Sequence, residues 1–171
     1  YTGLKNGEDV AETGYSDITE MDWWQEELFK EIKITYVPAR HFAARTLWDR
    51  NQALWGGFVI TGAQGKNIYF VGDTAKGKHE QMIADKFKEF ELALIPIGAY
   101  EPRWFMKTSH INPDEAVELH SLIKSSFSIG CHFGTVQLTD EGIDEPEKNL
   151  SASLEKAGLT QAEFITPEFG A

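Results

Sequence analysis

The sequence predicts an α+β fold, a mixed β-sheet with helices on one side. Three observations lead there. The early part of the chain holds two strand-like runs, residues 54–61 and 67–71, around a five-residue turn with two glycines, which suits a hairpin. In the later part, short apolar runs alternate with helix-period segments, the signature of strands joined by crossover helices. The run at 92–97 is apolar throughout, as in a strand buried on both faces.

Taken in order, residues 1–16 read as an irregular lead-in, 17–24 as an edge strand and 24–30 as a turn or short helix. Ile32, Ile34 and Tyr36 alternate with Lys33, Thr35 and Val37 in a half-buried strand that Pro38 stops. After the hairpin, Met82, Ile83 and Phe87 share one helical face, giving a helix over about 78–89. A further helix is better marked. Asn112 can cap it, Pro113 fits its first position, and Asp114 and Glu115 complement its dipole. Residues 128–132 form the next strand. A last helix over about 150–157 ends at Gly158, and the tail 162–169 is expected to add a short strand.

The 171 residues suit one domain, and 42% hydrophobic and 25% charged residues are ordinary globular values. With 16 Lys+Arg against 27 Asp+Glu, the net charge of −11 argues against a protein that tracks a nucleic-acid backbone. A phosphate substrate held through metal ions stays open, because the metal brings its own positive charge. One cysteine, Cys131, forms no intrachain disulfide and fits a reducing compartment. No apolar run reaches the ~18–20 residues of a membrane span.

Three polar residues fall where strands end: His41, Asp73 and His132. Strand ends gather at one rim of a sheet, and two imidazoles with a carboxylate suit zinc. His110 precedes the capped helix, near a helix N-terminus that receives phosphate oxygens. His79, among lysines, reads as solvated, and His120 as a partly buried helix histidine. The segment Tyr100-Glu101-Pro102-Arg103-Trp104-Phe105-Met106-Lys107 reads as a loop. It either folds back onto the core or forms a wall that grips an apolar substrate tail while Arg103 meets an anion.

Several longer motifs resemble a known family. Pro38-Ala39-Arg40-His41-Phe42, Leu54-Trp55-Gly56-Gly57, Tyr69-Phe70-Val71-Gly72-Asp73-Thr74, Pro96-Ile97-Gly98-Ala99-Tyr100-Glu101-Pro102-Arg103-Trp104-Phe105-Met106 and Gly130-Cys131-His132-Phe133-Gly134-Thr135 look like the metallo-β-lactamase-fold hydrolases. The nearest branch is that of N-acylphosphatidylethanolamine-hydrolysing phospholipase D and the bacterial RomA-like proteins. The resemblance runs over about residues 17–146. It implies the second half of an αββα sandwich, with helices on the outer face of its sheet. By resemblance, His41 is a ligand of one zinc, Asp73 bridges two zincs, and His132 is a ligand of the second. His110 lies beside the substrate phosphate and, with Asp73, is catalytic. Tyr100, Arg103, Trp104 and Phe105 contact substrate.

The family's His-x-His-x-Asp-His is absent, because no two histidines here are spaced i, i+2. The expectation is a C-terminal half-domain that binds zinc weakly by itself and is inactive alone, within a zinc-dependent phosphodiesterase acting on an N-acyl phospholipid. A sugar-phosphate lactonase of the same superfamily and a non-catalytic interaction fragment are the alternatives. The implied location is cytoplasmic or peripheral to a membrane. The bare inner sheet face implies self-association or pairing with the other half, because exposed apolar surface is costly.

Overall fold

The computed structural model describes residues 1–168 and Gly170. The elements run β1 (Thr2–Gly3), α1 (Gly7–Ala11), β2 (Glu20–Met21), β3 (Glu26–Phe29), β4 (Ile32–Val37), β5 (Gly57–Thr61) and β6 (Asn67–Phe70). They continue with α2 (Lys78–Phe87), β7 (Leu92–Pro96), α3 (Arg103–Met106), α4 (Pro113–Leu122), β8 (Ser128–Cys131), α5 (Glu145–Ala157) and β9 (Phe164–Ile165). Strands β3 to β9 form one mixed sheet in sequence order, and β1 pairs with β2 in a separate ladder. The first three pairings of the large sheet are antiparallel and the last three parallel. The α+β expectation and the hairpin between β5 and β6 hold.

The local differences have physical causes. The lead-in is not wholly irregular, since Thr2 and Gly3 pair with Glu20 and Met21. Residues 26–29 are a strand rather than a turn or helix. Their helix-forming side chains yield to pairing with β4, where Glu26 lies opposite Thr35 and meets Lys33 and Lys86 at 3.3 and 3.1 Å. The run after Tyr100 is not all loop, because Arg103–Met106 makes a short helix. Helix α5 begins five residues earlier than read, with Pro146 in its first turn and Pro146, Leu150 and Leu154 buried along one side. Of the expected tail strand, Phe164–Ile165 forms β9, and Phe169 lies outside the described residues.

Two residue rows separate the faces of the sheet. Val59, Tyr69, Ala93 and Ile95 pack with Ile83, Ala116, Leu119, Leu150 and Leu154 in the core beneath the helices. The alternate residues point the other way, and there Ile32, Ile68 and Phe70 keep 38%, 37% and 44% of their surface exposed. Strands β4 and β6 run the same way, and β6, β7 and β8 are parallel. Their C-terminal ends therefore meet at one rim.

Candidate metal centre

That rim gathers the residues singled out by sequence. His41 follows β4, Asp73 follows β6, His110 lies on the connection after β7, and His132 directly follows β8. Ligand atoms of His41, Asp73 and His110 lie within 4.8 Å of one another. His132 Nε2 stands 3.4 Å from an Asp73 carboxylate oxygen, and its ring stacks on that of His110 with centroids 5.3 Å apart. The approach of these loops needs two glycines. Gly72 has φ +70° beside the Gly56 carbonyl, and a Cβ on Gly98 would sit 2.2 Å from the His132 carbonyl oxygen. His132 itself takes a left-handed φ of 58°, a conformation that non-glycine residues hold only where the surroundings impose it.

Each side chain is aimed by a neighbour. The His41 Nδ1–H donates to the Phe42 carbonyl at 2.8 Å, because a carbonyl only accepts. That fixes the tautomer and leaves the Nε2 lone pair facing the cluster, the usual arrangement of a metal-binding histidine. His110 is held from both sides. Its N–H donates to the Met106 carbonyl at 2.8 Å, and its carbonyl accepts from Arg103 Nη1 at 2.9 Å. The following helix starts with a reciprocal cap, Asn112 Oδ1 accepting from the Glu115 N–H and Glu115 Oε2 from the Asn112 N–H.

Inside the cluster the partners are poor. His41 and His110 face each other Nε2 to Nε2 at 3.4 Å, long for a hydrogen bond. His110 Nδ1 is buried without a partner among the described residues. Desolvation holds the His110 imidazole neutral and lowers its pKa to about 4, against the pull of the Asp73 carboxylate. Burial and the same carboxylate push the Cys131 thiol to about 12, so it stays protonated. The neutral His110 with its unpartnered buried nitrogen, two further imidazoles and a carboxylate suit a divalent metal of the zinc type. His41 and Asp73 also line a cleft of about 460 Å³ with Tyr36, Phe42 and Arg45.

The remaining predicted contact residues divide. Tyr100 is buried, and its hydroxyl accepts from Asn149 Nδ2 at 2.7 Å. The Arg103 guanidinium pairs with Glu115 at 2.8 Å as well as with the His110 carbonyl, so it already serves to hold His110. Trp104 and Phe105 are 77% and 61% exposed and do not fold back onto the core. One reading fails outright: His79 is not solvated. It is 9% exposed, with its Nε2 3.0 Å from the Thr74 hydroxyl. Sequence reading also passed over Thr74; its place directly after Asp73 was the available signal.

Comparison with known proteins agrees with this geometry. Residues 2–133 match the β-lactamase superfamily domain model. The chain is 41% identical over 98% of its length to N-acyl-phosphatidylethanolamine-hydrolyzing phospholipase D 1 of Caenorhabditis elegans, covering 48% of that protein. It is 31% identical over 94% of its length to the mitochondrial enzyme of that description from Saccharomyces cerevisiae, covering 36% of it. The chain thus spans about half or less of the length of these relatives. In fold it resembles a possible metal-dependent hydrolase from Veillonella parvula, with a TM-score of 0.75 and 15% identity over 99% of this chain and 63% of that one. Igni18, a metallo hydrolase from Ignicoccus hospitalis, gives 0.72 and 19% over 99% and 65%. Family match, sheet order and the convergence of His41, Asp73, His110 and His132 on one rim agree, and the chain belongs to the metallo-β-lactamase superfamily.

Proposed function

We propose that the protein carrying this chain is a zinc-dependent phosphodiester hydrolase that cleaves an N-acyl phospholipid as a phospholipase D does. The observation that carries this reading is the 41% identity, over nearly the whole chain, to a protein described by that activity. The site chemistry supports it. His41, Asp73 and His132 would hold the metal. When bound, zinc supplies a Lewis acid and lowers the pKa of bound water from 15.7 toward ~7. His110, neutral and fixed through its own backbone, would orient a phosphoryl oxygen through a ring N–H, or take a proton from the attacking water and hand that proton on to the leaving oxygen. Arg103 reaches the substrate anion only through its hold on His110. Trp104 and Phe105, with the cleft lined by Phe133, Leu138 and Ile143 beside His132, support contact with acyl chains. Exposed Leu47 and Trp48 support peripheral contact with a lipid surface. Among the described residues no helix is long and apolar enough to cross a membrane.

We propose further that this chain is one half of the catalytic domain. The half-exposed row of Ile32, Ile68 and Phe70 would pack on a second half that brings the remaining ligands. A catalytic zinc takes three protein ligands plus water, so His41, Asp73 and His132 would be too few to hold two such ions. The test compares the 171 residues with the longer protein, measuring zinc content after dialysis and phosphatidic acid released from N-acylphosphatidylethanolamine vesicles. The longer protein should release product and keep zinc, while the shorter chain does neither. Two equivalents of zinc retained by the shorter chain would refute the half-site. Cleavage of other phosphodiesters but not of this lipid would refute the substrate.

A further inference from the structure

Three of the four cluster residues stand next to Thr74 or next to a residue that Thr74 holds, through its hydroxyl at Arg40 and through its main-chain carbonyl at Ile111. The Thr74 hydroxyl accepts from the Arg40 N–H at 3.0 Å, and Arg40 precedes His41. The Arg40 carbonyl accepts in return from the Ala75 N–H at 2.8 Å. The Thr74 carbonyl accepts from the Ile111 N–H at 2.8 Å, and Ile111 follows His110. Thr74 itself follows Asp73. One residue therefore ties the loops after β4 and β6 to the segment that leads into α4, each tie one position from a cluster side chain.

The hydroxyl is fully used. Its proton goes to the Ala75 carbonyl at 3.0 Å, so its lone pairs accept from Arg40 N–H and from His79 Nε2–H at 3.0 Å. Thr74 is 1% exposed and His79 9%, and no water is needed to complete the set. Burial keeps His79 neutral, so its one Nε2 proton has one task. His79 stands on the first turn of α2, in the core-packed part of the molecule. The loop junction is thereby braced against a rigid element rather than against solvent, as groups that orient metal-binding residues commonly are.

We propose that Thr74, braced by His79, is the positioning residue that sets the mutual geometry of His41, Asp73 and His110. This rests on the reading of the cluster as a metal site. Valine matches threonine in shape and lacks only the hydroxyl function, so Thr74→Val keeps the packing while releasing the Arg40 N–H and the His79 Nε2–H.

The experiment uses the longer protein carrying this chain, with zinc affinity measured by chelator competition. Thr74→Val should weaken zinc about 10–100-fold, and Thr74→Ser, which keeps the hydroxyl, should restore near-wild-type affinity. His79→Phe should weaken zinc in the same direction, and His79→Gln, which keeps an N–H donor, should recover part of the loss. Because His79 acts through Thr74, the double variant Thr74→Val/His79→Phe should be no worse than Thr74→Val. In the metal-free state, hydrogen exchange at the Arg40 amide should accelerate about tenfold or more in Thr74→Val, the amide having lost its acceptor. If Thr74→Val does not fold, the His79 pair decides by the same criterion. Unchanged zinc affinity in Thr74→Val, or equal loss in the valine and serine variants, overturns the proposal while leaving the metal-site reading intact. Absence of zinc binding by the wild type overturns that reading and this proposal with it.

Discussion

The five histidines of this chain fall into two populations with opposite hydrogen-bond economies. His79 and His120 are buried at 9% and 5% exposure, and each meets a hydroxyl, Thr74 at 3.0 Å and Ser128 at 2.8 Å. They behave as a folded interior requires, with a polar atom removed from water and given a protein partner. His41, His110 and His132 gather at the sheet rim around Asp73. Their mutual contacts are long, at 3.4 Å, and one buried nitrogen of His110 has no partner among the described residues. The first pair is complete without a guest. The second set leaves donor atoms free for one. Satisfied hydrogen bonding separates a structural histidine from a functional one more sharply than burial does, since His110 and His79 are both substantially desolvated.

The largest effect that can sharpen this contrast is on Asp73. In the longer protein, Asp73→Asn keeps the shape but removes the negative charge from the centre of the proposed metal site. Metal stabilisation worth several kcal/mol is lost, so turnover should fall more than ~10³-fold together with zinc content. Metal analysis beside a rate measurement checks it. Full zinc with lost activity would recast Asp73 as a proton-transfer group.

Next comes His110→Ala. Loss of a proton-transferring or orienting group predicts a drop of roughly 10²–10⁴ in turnover, with zinc content retained. Loss of zinc in this variant would make His110 a ligand, an assignment for which its donor atom is already close enough.

The third prediction uses pH. Glu80, the neighbour of His79, is buried, and desolvation raises its pKa from 4.5 to about 7. The folded state therefore binds its proton more tightly than the unfolded state does. The neutral carboxyl is stable at low pH, and stability is lost as pH rises through about 7. Glu80→Gln removes this dependence. Relative to wild type, the variant should gain up to about 3 kcal/mol between pH 4.5 and pH 8. Melting curves at both pH values test it, and a constant difference would place the Glu80 carboxylate in contact with solvent.

The smallest effect is His120→Ala, which leaves the Ser128 hydroxyl buried without its imidazole. It should destabilise the fold by about 1–3 kcal/mol and leave zinc affinity and kcat unchanged. A changed kcat would erase the boundary between the two populations.

The site was more legible in sequence than its supports. His41, Asp73 and His132 could be picked out because strands announce themselves by alternation and end at Pro38, Gly72 and Gly134, and the longer motifs carried the family resemblance. The reciprocal cap of α4 was equally plain, being a matter of residues 112–115 alone. His79 was misread for the opposite reason. Lysines flank it in the chain, but the face of α2 it occupies turns inward, and its partner Thr74 comes from a loop fixed by β6 and α4.

By itself, then, the sequence determined what depends on near neighbours: the strands, the capped helix, the hairpin and the residue types able to bind metal. The tertiary structure alone decided which histidines are satisfied, that Arg103 is engaged by Glu115 and the His110 carbonyl, and that β3 is a strand despite its helix-forming residues. Those outcomes depend on how the chain folds back on itself in space, with partners from 5 residues apart for His79 and Thr74 to 69 for His41 and His110. A hydrogen bond or a strand pairing is won by whichever group the packed core brings within 3 Å or so, and local spacing holds no record of that encounter.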